Sequence, residues 1–332
     1  MSDYKGVLVL AEVAQGKLAP IALELLGAGH GLAQQLGEQC SAALLGNGVT
    51  ALAQEAIAYG ADRVYVVDDP LLQDYQSDLY LAAMDKIITE ASPQIVLLGQ
   101  TSIGRDLAPR LAFRRQTGLS MDCVELSIDP ETRLLLQTRP VYGGNARATF
   151  VSESRPQMAT VRAKAMTPLE RDASRQGEVV AVAAGLSPSM IRAKVVHRVK
   201  EEVEGIKLED AQVIVGGGRG VGGPEAFKQL EELARILGGA VGASRPPCDS
   251  NWVPASLQIG LTGKVVTPEL YIAIGISGAS QHMAGCSGAR NIVAINKNPE
   301  ANIFNEASYG VVGDFRQVLP AFIAKVRELV GK

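Results

Sequence analysis

Leu270-Tyr271-Ile272-Ala273-Ile274 runs directly into Gly275-Ile276-Ser277-Gly278-Ala279-Ser280-Gln281-His282. A continuous apolar run bounded by turn residues reads as a strand buried on both faces. The glycine-rich segment behind it reads as a tight loop where backbone can approach a ligand closely. The pattern also occurs earlier. Val213-Ile214-Val215 enters Gly216-Gly217-Gly218-Arg219-Gly220-Val221-Gly222-Gly223, and residues 218–223 fit G-x-G-x-x-G ahead of a helix opened by Pro224. Further strands are predicted at 240–243, 291–295 and 309–312, ending at Ser244-Arg245-Pro246, Asn296-Lys297 and Asp314. A last helix places Phe315, Val318, Leu319, Phe322, Val326, Leu329 and Val330 on one face, with Pro320 as a kink or a late start. The loops then share the carboxyl edge of a parallel sheet, where open α/β sheets bind ligands.

Upstream, short apolar strands alternate with helical periods. Strands are predicted over 6–10, 42–45, 63–67 and 95–98, and helices over 18–26, 51–59, 79–90 and 105–115. The first helix is expected to stop near Gly27 and Gly29, the second at Gly60. This alternation implies βαβ units on a sheet covered on both faces. After Gly118 the rhythm changes. Short strands over 124–128, 134–138, 146–151 and 158–161 read as an antiparallel set, with turns at Asp129-Pro130 and Tyr142-Gly143-Gly144-Asn145. Residues 164–178 read as a surface connection, with strands returning within 179–199. The charge-rich stretch 200–210 marks a domain boundary. The expected fold is α/β, with an N-terminal βαβ, nucleotide-binding-like domain over 1–205. A C-terminal doubly wound parallel-sheet domain follows over 206–332.

Composition narrows the function. The 332 residues are 47% apolar, 20% charged and 5% aromatic, an ordinary globular balance that excludes collagen-like and disordered classes. A net charge of −3 with few aromatics argues against a nucleic-acid partner. Glycine is in excess, 35 residues, against a usual ~7%. The four cysteines form no C-x-x-C pair, so a reducing compartment is expected and a disulfide framework or zinc site is not. No leader pattern opens the sequence. Apolar stretches such as 179–186 fall well short of the ~20 residues a membrane span needs. A cytoplasmic protein without membrane insertion is expected.

Chemistry concentrates on the strand ends of the C-terminal half. The glycine loops offer amides to an anion, and a helix N-terminus adds partial positive charge. A tight strand–helix turn explains the first loop equally well. Arg219 can lie against an aromatic ring or pair with a phosphate; a solvated loop charge is the plainer role. His282 opens a helix, where a structural or capping imidazole is common. His30 and His197 have no such context and read as structural. Cys286 reads as a buried inert thiol. No catalytic triad or metal cluster is legible. With Gly260-Leu261-Thr262-Gly263-Lys264 between the loops, the set suits a dinucleotide: amides and hydroxyls for a pyrophosphate, and an acid or amide for ribose hydroxyls.

From Val213 onward the chain resembles the alpha subunit of electron transfer flavoprotein. The matching segments are Val215–Gly220, Val241-Gly242-Ala243-Ser244-Arg245-Pro246, Gly260–Lys264 and Pro268–Ala279. Gln281-His282-Met283-Ala284-Gly285, residues 292–297 and Tyr309-Gly310-Val311-Val312-Gly313-Asp314 complete the series. Upstream the resemblance is looser and rests on Tyr142–Ala146 and the β/α rhythm. It implies a heterodimer with an electron transfer flavoprotein beta subunit, contacted by the N-terminal domain, and FAD held mainly by the C-terminal one. It also implies an acyl-CoA dehydrogenase or other dehydrogenase as electron donor, and a downstream redox acceptor. The family includes simple carriers and bifurcating members that oxidise NADH.

Carried over by motif, Arg219 would sit against the isoalloxazine and Thr262 near N5. His282 would lie near the N1/C2-carbonyl end, and Arg245, beside Ser244, would add positive charge. Ser277, Gly278, Ala279, Ser280 and Gln281 would line the FAD, with Ile259, Gly260 and Leu261 alongside. Asn296, Asp314 and Phe315 would stand at the adenosine end. Reduced flavin gathers negative charge near N1, so a guanidinium and an imidazole would balance it. Leu261 departs from the family pattern, where glutamine is expected, as do Ser280 for an aliphatic residue and Asn298 for aspartate. A dinucleotide-dependent dehydrogenase acting alone and a nucleotide-binding regulatory module are the alternative classes.

Overall fold

The computed structural model describes residues 4–144, 146–193, 195–196 and 206–331. The chain divides into two compact units, residues 1–140 with 147–198, and residues 141–146 with 199–332. The expected boundary at 205/206 and most of its charged stretch, with His197, lie outside the described residues.

The first unit is built on a seven-stranded sheet. Its order is Glu178–Ala181, Arg63–Asp68, Cys40–Gly46, Val7–Leu10, Ile95–Gly99, Gln157–Val161, Leu119–Cys123, and every neighbouring pair is parallel. The apolar runs at 7–10, 40–46 and 95–99 occupy the centre, as two covered faces demand. Gln157–Val161 was expected in an antiparallel set. Instead it is wholly buried between two parallel neighbours. Leu119–Cys123, half polar and half buried, carries no periodicity that announces a strand. Glu125–Ile128, Leu135–Val141 and Ala146–Phe150 form a separate three-stranded sheet, the first two antiparallel.

The helix expected to stop near Gly27 and Gly29 instead runs over Pro20–Leu36 and ends at Gly37 in the left-handed region. The mid-helix glycines mark close packing. A Cβ on Gly29 would lie 2.8 Å from Val9 Cγ2 and 3.1 Å from Cys40 Sγ, and one on Gly27 would lie 2.6 Å from the Thr167 carbonyl oxygen.

The second unit carries a five-stranded sheet in the order Ala240–Ala243, Val213–Gly217, Leu270–Ile274, Asn291–Asn296, Tyr309–Val312, again all parallel. In chain order the strands run 2-1-3-4-5. The direction of winding therefore reverses between Val213–Gly217 and Leu270–Ile274. In such sheets the crevice beyond the carboxyl ends at that reversal is the ligand position. Phe315–Val330 covers one face, its start fixed by the Asp314 carboxylate accepting from Arg316 N at 2.9 Å. Pro320 lies inside this helix. Its buried stripe is Phe315, Leu319 and Ile323; Leu329 and Val330, expected on that stripe, are exposed because buried packing ends near Val326.

Candidate functional site

The winding reversal opens into a cavity of about 760 Å³, within the ~300–1,000 Å³ range of ligand pockets. Its walls include Arg219, Ser244, Arg245, Ile259, Gly260, Leu261, Thr262, Ser277, Ala279, Gln281, His282 and Asn296. Twelve of the sixteen residues expected at the site therefore meet on one surface. Asp314 and Phe315 border a smaller adjoining cleft that shares Gly220, Gly275 and Asn296 with the first. Gly278 and Ser280 are not part of either wall. Asn298, noted above as a departure from the family pattern, lines the cavity as well, and so do Glu300, Ala301 and Asn302, which were not singled out in the sequence; all sit in the turn after Asn291–Asn296.

The two glycine loops are fastened to each other. Gly218 N–H donates to the Ile274 carbonyl at 2.9 Å, and Gly220 N–H donates to the Gly275 carbonyl at 3.0 Å. A Cβ on Gly218 would stand 2.1 Å from the Gly275 oxygen. Of the first loop only Arg219 and Gly220 reach the cavity; Gly222 turns left-handed at φ 86° and the next helix begins beyond it. This motif therefore contributes a side chain and a close backbone approach to the cavity.

The second loop supplies the amides. Among the described residues, the backbone N–H groups of Ser277, Gly278, Ala279, Ser280 and Gln281 donate to no backbone carbonyl. Gly278 holds φ 79°, and a Cβ there would lie 2.1 Å from Ile303 N, so only glycine turns the chain here. Asn296 braces the loop: its Nδ2 donates to the Ile276 carbonyl at 2.8 Å, and its Oδ1 accepts from Asn298 N at 2.9 Å.

The charges differ from one another. Arg219 is exposed, and its guanidinium makes no hydrogen bond or ion pair among the described residues, while its carbonyl accepts from Gly222 N at 3.1 Å. Arg245 pairs with Asp249 at 3.1 Å. Thr262 Oγ1 accepts from Gln258 Nε2 at 3.0 Å. Leu261 presents a 57% exposed aliphatic side chain to the cavity, while its N–H donates to the Gln281 carbonyl at 2.7 Å. His282 is buried, with Nδ1 3.0 Å from the Ile259 carbonyl and Nε2 2.9 Å from the Tyr271 hydroxyl. Burial pushes its pKa down to about 4, only partly opposed by the bond to Ile259. The imidazole is therefore neutral near pH 7. Cys286 is buried and its thiol is pushed up to about 12 by burial, an unreactive state.

A flexible, planar, multiply anionic dinucleotide fits this donor set. Among the described residues the amides of 277–281 have no backbone acceptor, Ser277, Ala279 and Gln281 of that loop line the cavity, glycines leave backbone at the wall, and the Arg219 guanidinium is without a partner. No helix among the described residues is long and apolar enough to cross a membrane.

Residues 7–187 match the electron transfer flavoprotein domain family, and residues 207–287 match the electron transfer flavoprotein FAD-binding domain family. The chain is 48% identical to electron transfer flavoprotein subunit alpha of Thermoanaerobacterium thermosaccharolyticum, over 99% of this chain and 100% of that protein. It is 45% identical to the same subunit of Megasphaera elsdenii, over 100% of this chain and 99% of that protein. With protein FixB of Azotobacter vinelandii it shares 39% identity over 99% of this chain and 93% of that protein.

Proposed function

Because this chain belongs to the electron transfer flavoprotein alpha-subunit family and has its FAD-binding domain, we propose that the cavity of the second unit holds FAD. In this reading Arg219 and Thr262 stand at the reacting ring. Bound FAD supplies the redox chemistry, accepting electrons from one partner and giving them to another. The residues supply position and charge. Amides of residues 277–281, with the Ser277 hydroxyl and Gln281, would take the pyrophosphate. The Arg219 guanidinium, without a partner among the described residues, would face the charge that builds up on reduction. Arg245, paired with Asp249, and the neutral Ser244 would stand beside it. The Thr262 hydroxyl would serve the N5 edge, and Asn296 and Asp314 the adenosine end. His282 contributes a neutral wall that carries no net charge.

The chain is the alpha half of a heterodimer with a beta subunit. Electrons pass from a dehydrogenase through FAD to a redox acceptor. We assign the beta-subunit contact to the first unit and the cytoplasm as the compartment. The four cysteines, all free and buried thiols, fit a reducing setting.

The observation that carries the reading is the meeting of two glycine loops and the exposed Arg219 side chain at the winding reversal. Reductive titration of the purified heterodimer tests it. Flavin absorption that bleaches with a dehydrogenase and its substrate is expected; an unbleached or flavin-free complex would overturn it.

A further inference from the structure

Tyr271 does not line the cavity, and its side chain is fully buried (0% exposed). Its hydroxyl nevertheless lies 2.9 Å from Nε2 of His282, which does line it. The direction of the hydrogen bonds follows from the partners. The Ile259 carbonyl, 3.0 Å from Nδ1, can only accept, so Nδ1 carries the proton. In a neutral imidazole Nε2 then holds a lone pair, and the Tyr271 hydroxyl donates to it. Burial keeps that phenol protonated by raising its pKa well above the ordinary value, and the nearby Cys286 thiol is neutral for the same reason, with Glu306 acting in the same sense on Cys286. The hydroxyl has one place to stand. A Cβ on Gly216 would come within 2.2 Å of it, so glycine at that position makes its room.

Ile259 opens the turn that reaches the cavity through Leu261 and Thr262. Ile259 N–H donates to the Ala243 carbonyl at 2.8 Å, and Leu261 N–H donates to the Gln281 carbonyl at 2.7 Å. The His282 bond to the Ile259 carbonyl adds a side-chain tie from the neighbouring helix, beside the Gln258–Thr262 bond within the turn. We propose that Tyr271 is a positioning residue of the flavin site: by donating to Nε2 it holds His282 as the neutral Nδ1–H tautomer, which pins Ile259 and seats the turn carrying Leu261 and Thr262. This rests on the FAD reading above. It also assigns the positive charge at the cavity to Arg219 and Arg245, with none from the imidazole.

The test uses the heterodimer with its alpha chain labelled with ¹⁵N-histidine, where only three histidines contribute signals. In the wild-type protein the His282 ring should show a proton on Nδ1 alone and no titration between about pH 5 and 8. In Tyr271→Phe the Nε2 resonance should move to that of an acceptor without a donor, and the ring should begin to titrate at higher pH. FAD should then bind about tenfold more weakly, with shifted flavin potentials, as expected when a buried bond that seats a ligand loop is lost. A wild-type ring protonated on Nε2, or titrating like an exposed histidine, overturns the proposal without any variant. So does a Tyr271→Phe protein with unchanged ring signals, affinity and potentials. If FAD binds neither protein, the flavin reading fails; an Nε2–H ring in an FAD-loaded protein defeats the Tyr271 assignment alone.

Discussion

The Gly220 amide donates to the Gly275 carbonyl across 3.0 Å, so the loop that presents Arg219 is bonded to the loop that presents Ser277. Two strands adjacent in the sheet thus end in one connected surface. The closeness depends on bare backbone. Gly218→Ala would place its Cβ 2.1 Å from the Gly275 oxygen, where neither partner is a flexible side chain. The expected result is a second unit destabilised by about 1–3 kcal/mol or more, with FAD content reduced. Thermal melting and flavin content of the purified variant measure both.

Replacing Arg219 with Ala should leave the fold intact, because the side chain is exposed and unpaired among the described residues. The flavin potential should fall by on the order of 30 mV, equivalent to about 1.4 kcal/mol for a two-electron couple. A spectroelectrochemical titration reads this directly. An unchanged potential would return Arg219 to the role of a solvated loop charge.

Stability should depend on pH with opposite signs in the two units. His282 has its folded pKa pushed down from 6.5 to about 4. Between those values the unfolded chain binds the extra proton, so this contribution is present above pH ~6.5 and is lost as pH falls toward ~4, up to about 3 kcal/mol. Chemical denaturation at several pH values, with His282→Gln flattening the slope of the second unit, checks the sign.

In the first unit, burial raises the Glu12 pKa from 4.5 to about 7, against a hydrogen bond from Thr101 Oγ1 at 2.8 Å. Here the folded chain binds the extra proton, so this stability is present below pH ~4.5 and is lost as pH rises through ~7. Glu12→Gln keeps an acceptor for Thr101 and removes the buried charge. It should stabilise the first unit at pH 8 by up to about 3 kcal/mol and do little at pH 4. A gain that does not vary with pH would contradict the assignment.

Two glycines of one helix should respond oppositely to alanine. A Cβ on Gly31 would meet nothing within 4 Å, so Gly31→Ala should stabilise by about 1 kcal/mol through helix propensity. A Cβ on Gly29 would meet Val9 Cγ2 at 2.8 Å. There, crowding of about 1–3 kcal/mol should outweigh the same gain. Paired melting curves decide it.

Those glycines also show why the sequence was legible only in part. The apolar strands were clear because burial on both faces leaves no polar position to confuse them, and the parallel sheet of the second unit followed from strands ending in glycine loops. Gly27 and Gly29 were ambiguous, because a glycine that ends a helix and one that lets a strand approach look the same until the partner is known. Gln157–Val161 has strand composition in either orientation; only its neighbours, Ile95–Gly99 and Leu119–Cys123, make it parallel. At the site, residue types near strand ends were readable as donors and charges. The state of His282 was not, since it is set by Tyr271, eleven residues away, and by burial that no local pattern encodes.

Visible absorption of the heterodimer during titration with FAD tests the central claim most directly. A flavin spectrum perturbed from that of free FAD, saturating at one equivalent for the alpha-chain cavity and weakened in Gly278→Val, is the predicted result. A complex whose spectrum remains that of free FAD, with Gly278→Val indistinguishable from wild type, would contradict it.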